Sequence, residues 1–184
     1  MRVITGIARG RRLVTLEGND VRPTTDKVKE ALFSIINFEI EGRRILDLFA
    51  GSGQLGIEAL SRGAQSAVFV DNSKKSIEVI KQNLEATGFT KQSVVINTDS
   101  IGFLKSRAEK YDIAFLDPPY SKGILQAALE HIDRVMSDSG IIICEAPCGE
   151  ELPESVGRFK IYRKYKYSKV SLTVYRIPDE SEED

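Results

Sequence analysis

The chain has 184 residues and a mass of 20.5 kDa, which is the usual size of one domain. Its 41% hydrophobic and 29% charged residues are typical of a folded globular protein and exclude a disordered chain, a collagen-like fibre or a disulfide-stabilised miniprotein. The formal net charge of −1 by itself gives no indication of a nucleic acid or another polyanion as partner.

The first forty residues are predicted to be an N-terminal extension with one helix. Val3 to Leu16 is predicted to form short strands around a turn at residues 8–10. After Arg22-Pro23-Thr24-Thr25, a helix is predicted to begin at Asp26, whose carboxylate suits the positive end of the helix dipole. The apolar positions that follow recur at helical spacing, at Val28, Ala31, Leu32, Ile35 and Ile36.

Residues 41–177 alternate apolar runs with helical patterns, which predicts a doubly wound α/β sheet. The apolar runs are nearly continuous, as in parallel strands that are covered on both faces. They occupy residues 45–49, 67–70, 94–96, 113–116 and 141–143. The helical patterns between them occupy residues 55–62, 73–87, 101–110 and 122–136. Two further β-rich runs, 159–165 and 170–176, predict an antiparallel hairpin at the edge of a mainly parallel sheet.

These elements predict a single domain over residues 1–177, with 1–40 as a basic extension and helix and 41–177 as the catalytic sheet. Residues 178–184 hold five acids and are predicted to be a disordered tail. No apolar run reaches the roughly 18 to 20 residues that cross a bilayer, and the start lacks an apolar signal segment. We therefore expect a cytoplasmic monomer that does not associate with membranes. The cysteines and the histidine are too few for a zinc site built from Cys and His: Cys144, Cys148 and His131.

The charges are distributed unevenly along the chain. Residues 1–12 carry four arginines and no acid, and residues 158–177 carry seven Lys or Arg and no acid. Each basic segment is compatible either with an ordinary solvated surface or with a surface that binds phosphates. Only a chemical motif elsewhere in the chain can decide between these two interpretations.

A glycine-rich loop follows the first strand of the predicted sheet. Gly51-Ser52-Gly53-Gln54-Leu55-Gly56 has glycines at the first, third and sixth places of a nucleotide-binding turn. The loop opens a helix, and Asp71 follows about 20 residues later at the end of the second strand, where an acid can bind ribose hydroxyls. The pattern fits a dinucleotide such as NAD or, equally, S-adenosylmethionine.

Two further acids favour S-adenosylmethionine. Asp47 lies in the strand just before the loop, where a carboxylate repels a diphosphate but accepts hydrogen bonds from an amino-acid ammonium group. Asp99 follows the third strand, where it can hold the exocyclic amine of adenine or can simply cap a helix. The sequence thus predicts one acceptor each for the ammonium, the ribose and the adenine.

The fourth strand ends in Asp117-Pro118-Pro119-Tyr120, at the edge of the sheet where ligands bind in this type of fold. The two prolines make the turn rigid and leave carbonyl groups free to accept hydrogen bonds. Hydrogen bonds from an amine to the Asp117 carboxylate and the Pro118 carbonyl would orient it for attack on a methyl group. Tyr120 can stack on a base. This arrangement predicts methylation of an exocyclic amine.

The tetrapeptide after such a loop resembles the amino-methyltransferases that modify exocyclic nitrogens of adenine or guanine. Longer stretches narrow the resemblance: GIARGRRL, RPTTDKVKEALFSII, DLFAGSGQLGIEALSRGA and DPPY together are similar to the RsmD-type family. These bacterial enzymes methylate N2 of a guanine in 16S ribosomal RNA. The similarity spans residues 1 to about 176 and implies a Rossmann-like class I S-adenosylmethionine-dependent methyltransferase. Gln54, Lys27 and Lys29 depart from the family pattern without affecting an expected ligand contact.

The resemblance implies a set of functional residues in this chain. The cofactor-binding positions are Asp47, Phe49, Gly51, Gly53, Asp71, Asn72 and Asp99. The catalytic positions are Asp117, Pro118, Pro119 and Tyr120. Residues 22–25 are implied to engage RNA or frame the pocket, and the arginines expected at RNA are Arg2, Arg9, Arg11, Arg12 and Arg22. The implied partner is ribosomal RNA or a partly assembled small ribosomal subunit, and no metal is required.

Four alternatives remain at this point. The enzyme could methylate another exocyclic amine of RNA or DNA, or the loop could serve an NAD-dependent oxidoreductase. A thiolate at Cys148 could support methylation of cytosine C5, although no histidine adjoins it in the sequence. A non-catalytic RNA-binding assembly factor would share the basic ends but would have no use for the acids and DPPY.

Overall fold

The described residues of the computed structural model, 1–16, 25–120 and 123–179, form one eight-stranded sheet in the order β3-β2-β1-β4-β5-β8-β7-β6. The strands are β1 (Arg44–Asp47), β2 (Ser66–Asp71), β3 (Ser93–Asn97), β4 (Tyr111–Leu116), β5 (Met136–Pro147), β6 (Ser155–Val156), β7 (Phe159–Tyr167) and β8 (Val170–Arg176). The α-helices are α1 (Asp26–Ile35), α2 (Gln54–Ser61), α3 (Lys74–Thr87), α4 (Ser100–Ser106) and α5 (Ile124–Ile132). Strands β1 to β5 are parallel, and β8, β7 and β6 extend the sheet in antiparallel pairs.

Two layers of helices cover the parallel strands. Helices α1, α2 and α3 pack on one face, where Phe69 and Phe115 are buried, and helices α4 and α5 pack on the other, where Leu116 is buried. Successive strand residues point to opposite faces, so a strand that is covered on both sides must be apolar throughout. This explains the continuous apolar runs and confirms the predicted α/β class with its antiparallel C-terminal extension.

Several predicted boundaries are wrong where local patterns compete with tertiary contacts. Helix α4 ends at Ser106, four residues earlier than predicted, and α5 ends at Ile132 before a short 3-10 turn. Strand β5 begins at Met136 because Tyr111 of β4 pairs with it, so the polar residues 137–140 lie within the strand. The predicted C-terminal hairpin does form, but its second strand, β8, lies between β5 and β7.

The prediction of short N-terminal strands is also wrong. Residues 1–16, here called the N-terminal loop, make a single antiparallel bridge between Arg2 and Arg12. They are otherwise hydrogen-bonded to helices: to α2 through Glu58 and Ser61, to α3 through Asn83 and to α1 through Lys29. At Gly6, with φ of +88°, a Cβ atom would lie 1.8 Å from the carbonyl oxygen of Ser61, so only glycine permits this approach. The turn-prone residues 8–10 suggested a pair of short strands, whereas contacts with helices distant in sequence decide the conformation.

The buried carboxylate of Glu58 anchors the N-terminal loop. The Glu58 carboxylate of α2 accepts hydrogen bonds from the amides of Ile4 (2.8 Å) and Thr5 (2.9 Å) and from Arg62 Nε (3.0 Å). The fully buried Lys29 Nζ lies 3.6 Å from the same carboxylate and donates to the carbonyl of Arg2 at 2.7 Å. One carboxylate therefore joins the N-terminal loop, α1 and α2.

In the part of the chain that the structure describes, no helix is long and apolar enough to span a membrane. The same residues contain no group of three or more His, Cys, Asp or Glu side chains arranged to hold a metal ion.

Candidate active site

A cavity of about 980 Å³ opens at the carboxyl ends of the parallel strands, which is the ligand-binding edge of an open α/β sheet. Most of the site residues predicted from the sequence line it: Asp47, Phe49, Gly51, Asp71, Asn72, Asp99 and all four residues of the DPPY turn. Gly53 does not line the cavity. The N-terminal loop contributes Met1, Thr15 and Leu16 to the wall.

The glycine-rich loop turns sharply from β1 into α2. Gly51 has φ of +56°, lines the cavity and donates its amide to the Asp71 carboxylate at 2.9 Å. Gly53 adopts a left-handed conformation that starts α2. At Gly56 a Cβ atom would lie 2.3 Å from the ring of Phe69, so this glycine allows α2 to pack closely on β2. Of the three glycines, only Gly51 lines the cavity.

Asp71 ends β2 and is held in a fixed position by the backbone. Its two carboxylate oxygens accept hydrogen bonds from the amides of Gly51 and Ser73, each at 2.9 Å. The side chain is half-buried and lines the cavity beside Asn72. A rigid carboxylate at this strand end is suited to bind a pair of vicinal hydroxyls.

Asp47 is the most deeply buried acid of the cavity wall. It is 2% exposed and accepts one hydrogen bond, from the amide of Gly56 at 3.0 Å. Burial raises the pKa of Asp47 to about 7, the Gly56 hydrogen bond opposes this, and the negative charges of Asp117 and Asp71 add to the rise. A cationic group in the cavity would favour the ionised form of this carboxyl.

Asp99 both caps a helix and lines the cavity. Its carboxylate accepts a hydrogen bond from the amide of Gly102 at 2.7 Å and so caps α4. The side chain is exposed and also lines the cavity. The helix-capping role is confirmed, and a contact with adenine stays a prediction.

The DPPY turn lies at the centre of the cavity edge. It follows β4 directly, and Pro118 is buried whereas Pro119 and Tyr120 are exposed. Tyr120 is 46% exposed, so one face of a large aromatic ring is accessible at the cavity. Asp117 is half-buried and close enough to Asp47 to affect its pKa.

The charge of the lining indicates which ligand fits. Among the described lining residues, Lys75 is the only Lys or Arg, whereas five carry carboxylates: Asp47, Asp71, Asp99, Asp117 and Glu145. Such a wall repels a diphosphate and attracts a cation. S-adenosylmethionine carries a sulfonium and an ammonium group and has no phosphate, so the residues present fit it better than they fit NAD.

Two lining residues were missed by the sequence analysis. Gln54 is 8% exposed, and its buried Oε1 has no hydrogen-bond partner among the described residues, which leaves an acceptor for a ligand donor. Glu145 of β5 is 6% exposed and lies on the same wall. A charged residue within the apolar run 141–146 is the signal that could have identified Glu145.

The cysteines and the histidine, on which the alternative chemistry would depend, do not line the cavity. Cys148 is exposed after β5, and neither it nor His131 is part of the cavity lining. Cys144 is fully buried in β5, and burial raises the pKa of its thiol well above the usual range. The geometry therefore offers no support for cysteine-dependent chemistry at this cavity.

Four of the five predicted RNA-binding arginines lie in the N-terminal loop. Arg2, Arg9, Arg11 and Arg12 are exposed, and Arg22 lies outside the described residues, as do residues 23 and 24. Thr25 caps α1 through its side chain. In the basic C-terminal segment, Arg158 pairs with Asp133 and Asp138, and Arg176 pairs with Glu39.

The sheet order, the two helix layers and the loop after β1 define a Rossmann-like class I S-adenosylmethionine-dependent methyltransferase fold. The family described as Conserved hypothetical protein 95 matches residues 1–176. The chain belongs to this family, which is the RsmD type.

Individual relatives agree with this assignment. YlbH of Bacillus subtilis (strain 168) is 42% identical over 96% of this chain and 98% of its own length. Ribosomal RNA small subunit methyltransferase D of Escherichia coli (strain K12) is 31% identical over 100% of this chain and 93% of its own. The solved structure of YhhF from Escherichia coli superposes with a TM-score of 0.85 at 31% identity and covers 97% of this chain and 99% of that one.

Proposed function

We propose that this protein methylates the exocyclic N2 amine of a guanine in small-subunit ribosomal RNA with S-adenosylmethionine as methyl donor. The observation that carries this proposal is the strongly acidic cavity wall next to the DPPY turn. The acids suit a cationic cofactor, and the turn suits a planar amine. The name of the Escherichia coli relative supports ribosomal RNA as the substrate class.

The chain offers a separate contact for each part of the cofactor. Asp47 and the buried Oε1 of Gln54 are acceptors for the ammonium group, and the fixed carboxylate of Asp71 is an acceptor for the ribose hydroxyls. Phe49, Asn72 and Asp99 complete the adenosine side of the wall. When bound, the cofactor supplies an electrophilic methyl group on sulfur.

The DPPY turn orients the amine for attack. The Asp117 carboxylate and the Pro118 carbonyl accept its two hydrogens, which directs the nitrogen lone pair out of conjugation with the ring. The same acceptors would offset the positive charge that develops on nitrogen as the N–C bond forms and the bond between sulfur and the methyl group breaks, with its electron pair left on sulfur. Tyr120 stacks on the base and fixes its plane, and the surplus proton leaves from nitrogen to the carboxylate or to solvent.

The exposed arginines of the N-terminal loop bind RNA phosphates, while the cavity accepts a base that has been taken out of its stack. The substrate is ribosomal RNA or a partly assembled small subunit. Residues 1–177 act as one catalytic domain and as a monomer, and the acidic residues 178–184 take no part in the chemistry.

The product is the direct test of this function. The purified protein is incubated with S-adenosylmethionine carrying a labelled methyl group and with small-subunit ribosomal RNA from cells that lack the protein, and the nucleosides are identified by mass spectrometry. We expect labelled N2-methylguanosine at a single position. Label in adenosine or in cytosine would contradict the proposal.

Asp71→Ala is expected to weaken the binding of S-adenosylmethionine by about 10–100-fold, because a charged acceptor for the ribose is lost. Titration calorimetry measures the change. Asp71→Asn keeps one acceptor oxygen and the shape of the side chain, so its loss should be smaller. Heat from NADH with none from S-adenosylmethionine would overturn the cofactor assignment.

The affinity for the cofactor is expected to depend on pH through Asp47. Its pKa of about 7 in the free protein means that the carboxyl is protonated below pH 7, whereas the ammonium group favours the carboxylate. Affinity should therefore fall by up to about tenfold for each pH unit below 7. Calorimetry from pH 5.5 to 8 tests this, and Asp47→Asn should remove the slope. An equal slope in Asp47→Asn would assign the proton to another group.

The same raised pKa affects the stability of the free protein. A folded-state pKa above the ordinary value of 3.8 contributes stability that is fully present below about pH 3.8 and is lost as pH rises through 7. Bound cofactor should offset this loss near neutral pH.

Replacing Arg9, Arg11 and Arg12 together by alanine is expected to weaken RNA binding and to flatten its dependence on salt. Each phosphate contact with single-stranded RNA contributes about 0.7 to the slope of log affinity against log salt, so the slope should fall by about 2. The matched triple lysine variant keeps the charge and should keep the slope. An unchanged slope in the alanine variant would place the RNA surface elsewhere.

A further inference from the structure

Glu145 is a buried carboxylate beside the reacting turn. It is 6% exposed and lines the same cavity as Asp117 and Tyr120. In the parallel pairing of β4 with β5, Leu116 lies opposite Cys144. Asp117 directly follows the end of β4, and Glu145 is the next residue of β5; neighbouring strands are about 4.8 Å apart. The two acids are therefore adjacent at the edge of the sheet.

The alternation of side chains places both acids on the same face. Phe115 and Ile143, each two residues earlier, belong to the core on the α1, α2 and α3 side. Asp117 and Glu145 continue these rows on the same side. A second carboxylate thus stands next to the one that is proposed to hold the amine.

A carboxylate that lines a ligand cavity presents acceptor oxygens to the ligand, and hydrogen bonds from ligand donors to a charged acceptor are stronger than those between neutral groups. The Watson–Crick edge of guanine offers donors at N1 and at the N2 amine, side by side. Adenine instead has an acceptor at N1, and cytosine has an acceptor at N3.

We propose that Glu145 selects guanine by accepting the N1–H of the target base. This rests on the proposed function and adds the residue that reads the base. Asp117 and the Pro118 carbonyl take the two hydrogens of N2, and Glu145 takes the one on N1. Adenine would place the lone pair of its N1 against the carboxylate, so that two acceptors face each other without a hydrogen between them. In a site that excludes water, this contact strongly disfavours binding of adenine.

The test compares guanine with 2-aminopurine at the methylated position of a ribosomal RNA fragment. 2-Aminopurine keeps the amine at the same carbon but has an acceptor at N1 and lacks O6. We measure kcat/KM for both substrates in the wild type and in Glu145→Gln, whose amide can donate to that acceptor. The ratio of guanine to 2-aminopurine is expected to fall at least tenfold in the variant. 2-Aminopurine lacks O6 in the assays of both the wild type and Glu145→Gln. The effect of this loss therefore cancels when the two ratios are compared.

A second variant and a second measurement keep the test informative. Glu145→Asp retains the charge with a shorter reach, so it should lower kcat/KM for guanine yet keep the preference for guanine over 2-aminopurine. The fluorescence of 2-aminopurine gives the Kd of the RNA independently of turnover, and Glu145→Gln should bind that RNA more tightly than the wild type does. The kcat/KM measurements are made at saturating S-adenosylmethionine, because Glu145 is also one of the carboxylates of the cavity wall.

The outcomes separate the two proposals. Absence of N2-methylguanosine with the wild type would overturn the proposed function and this inference with it. If the wild type methylates guanine N2 but the ratio and the Kd are the same in Glu145→Gln, only the role of Glu145 is overturned.

Discussion

Asp117→Ala is expected to lower kcat for methyl transfer to RNA by about 10²–10³-fold while cofactor binding is preserved. The substitution removes an acceptor that acts on the amine as positive charge develops, and loss of one such preorganised group typically has an effect of this size. The side chain is only half-buried, and Asp117 lies in the turn that directly follows β4, so the fold should tolerate the change. Single-turnover methylation with saturating RNA measures the chemical step, and calorimetry measures the cofactor.

Asp117→Asn is the matched control for that variant. Its amide oxygen can still accept one hydrogen of the amine, so the variant should retain more activity than Asp117→Ala. Full activity in Asp117→Ala would refute the proposed mechanism. Activity in Asp117→Asn as low as in Asp117→Ala would show that the negative charge is required and that acceptor geometry alone does not suffice.

Glu58→Ala is expected to reduce the free energy of unfolding by about 3–5 kcal/mol, because it leaves the buried ammonium of Lys29 without its counter-charge. It also removes the acceptor for the amides of Ile4 and Thr5. Burial already lowers the pKa of Lys29, and Glu58 acts against that change, so its removal should lower this pKa further. Urea unfolding at constant pH measures the loss.

A double-mutant cycle separates the ion pair from the backbone contacts. Glu58→Gln keeps an acceptor for the amides, and Lys29→Met removes the buried charge. The combination of both should be more stable than Glu58→Gln alone, since the uncompensated charge has gone. Additive effects of the two substitutions would mean that the pair does not interact in the folded protein.

The parallel sheet could be predicted because its determinants are local. A short, continuous apolar run such as Ile113–Leu116 is typical of a strand that is covered on both faces. The glycine loop and the DPPY turn could be located for the same reason, since both are continuous in sequence. The proposed roles of their side chains remain to be tested by the variants described above.

The N-terminal loop could not be predicted, because its partner Glu58 is 54 residues away from Ile4. A turn signal between two short segments does not distinguish a pair of strands in a sheet from a loop that is bound to a helix by side chains. Asp99 shows a different limit: one carboxylate both caps a helix and lines the cavity. Glu145 was missed because it stands outside any recognised motif, and Gln54 was missed because the glycine motif assigns no ligand contact to its place; only the assembled cavity shows that both line it.

Helix α2 connects two parts of the molecule that are expected to act on different ligands. Its first turn adjoins the glycine loop, where the amide of Gly56 binds Asp47, and its last residue, Ser61, holds the tip of the N-terminal loop through Ala8. All eight residues of the helix are buried, and its length is about 12 Å. The proposed phosphate site at Arg9 therefore lies at a fixed spacing from the proposed site of the methyl donor, and this spacing would determine which nucleotide along the strand reaches the cavity.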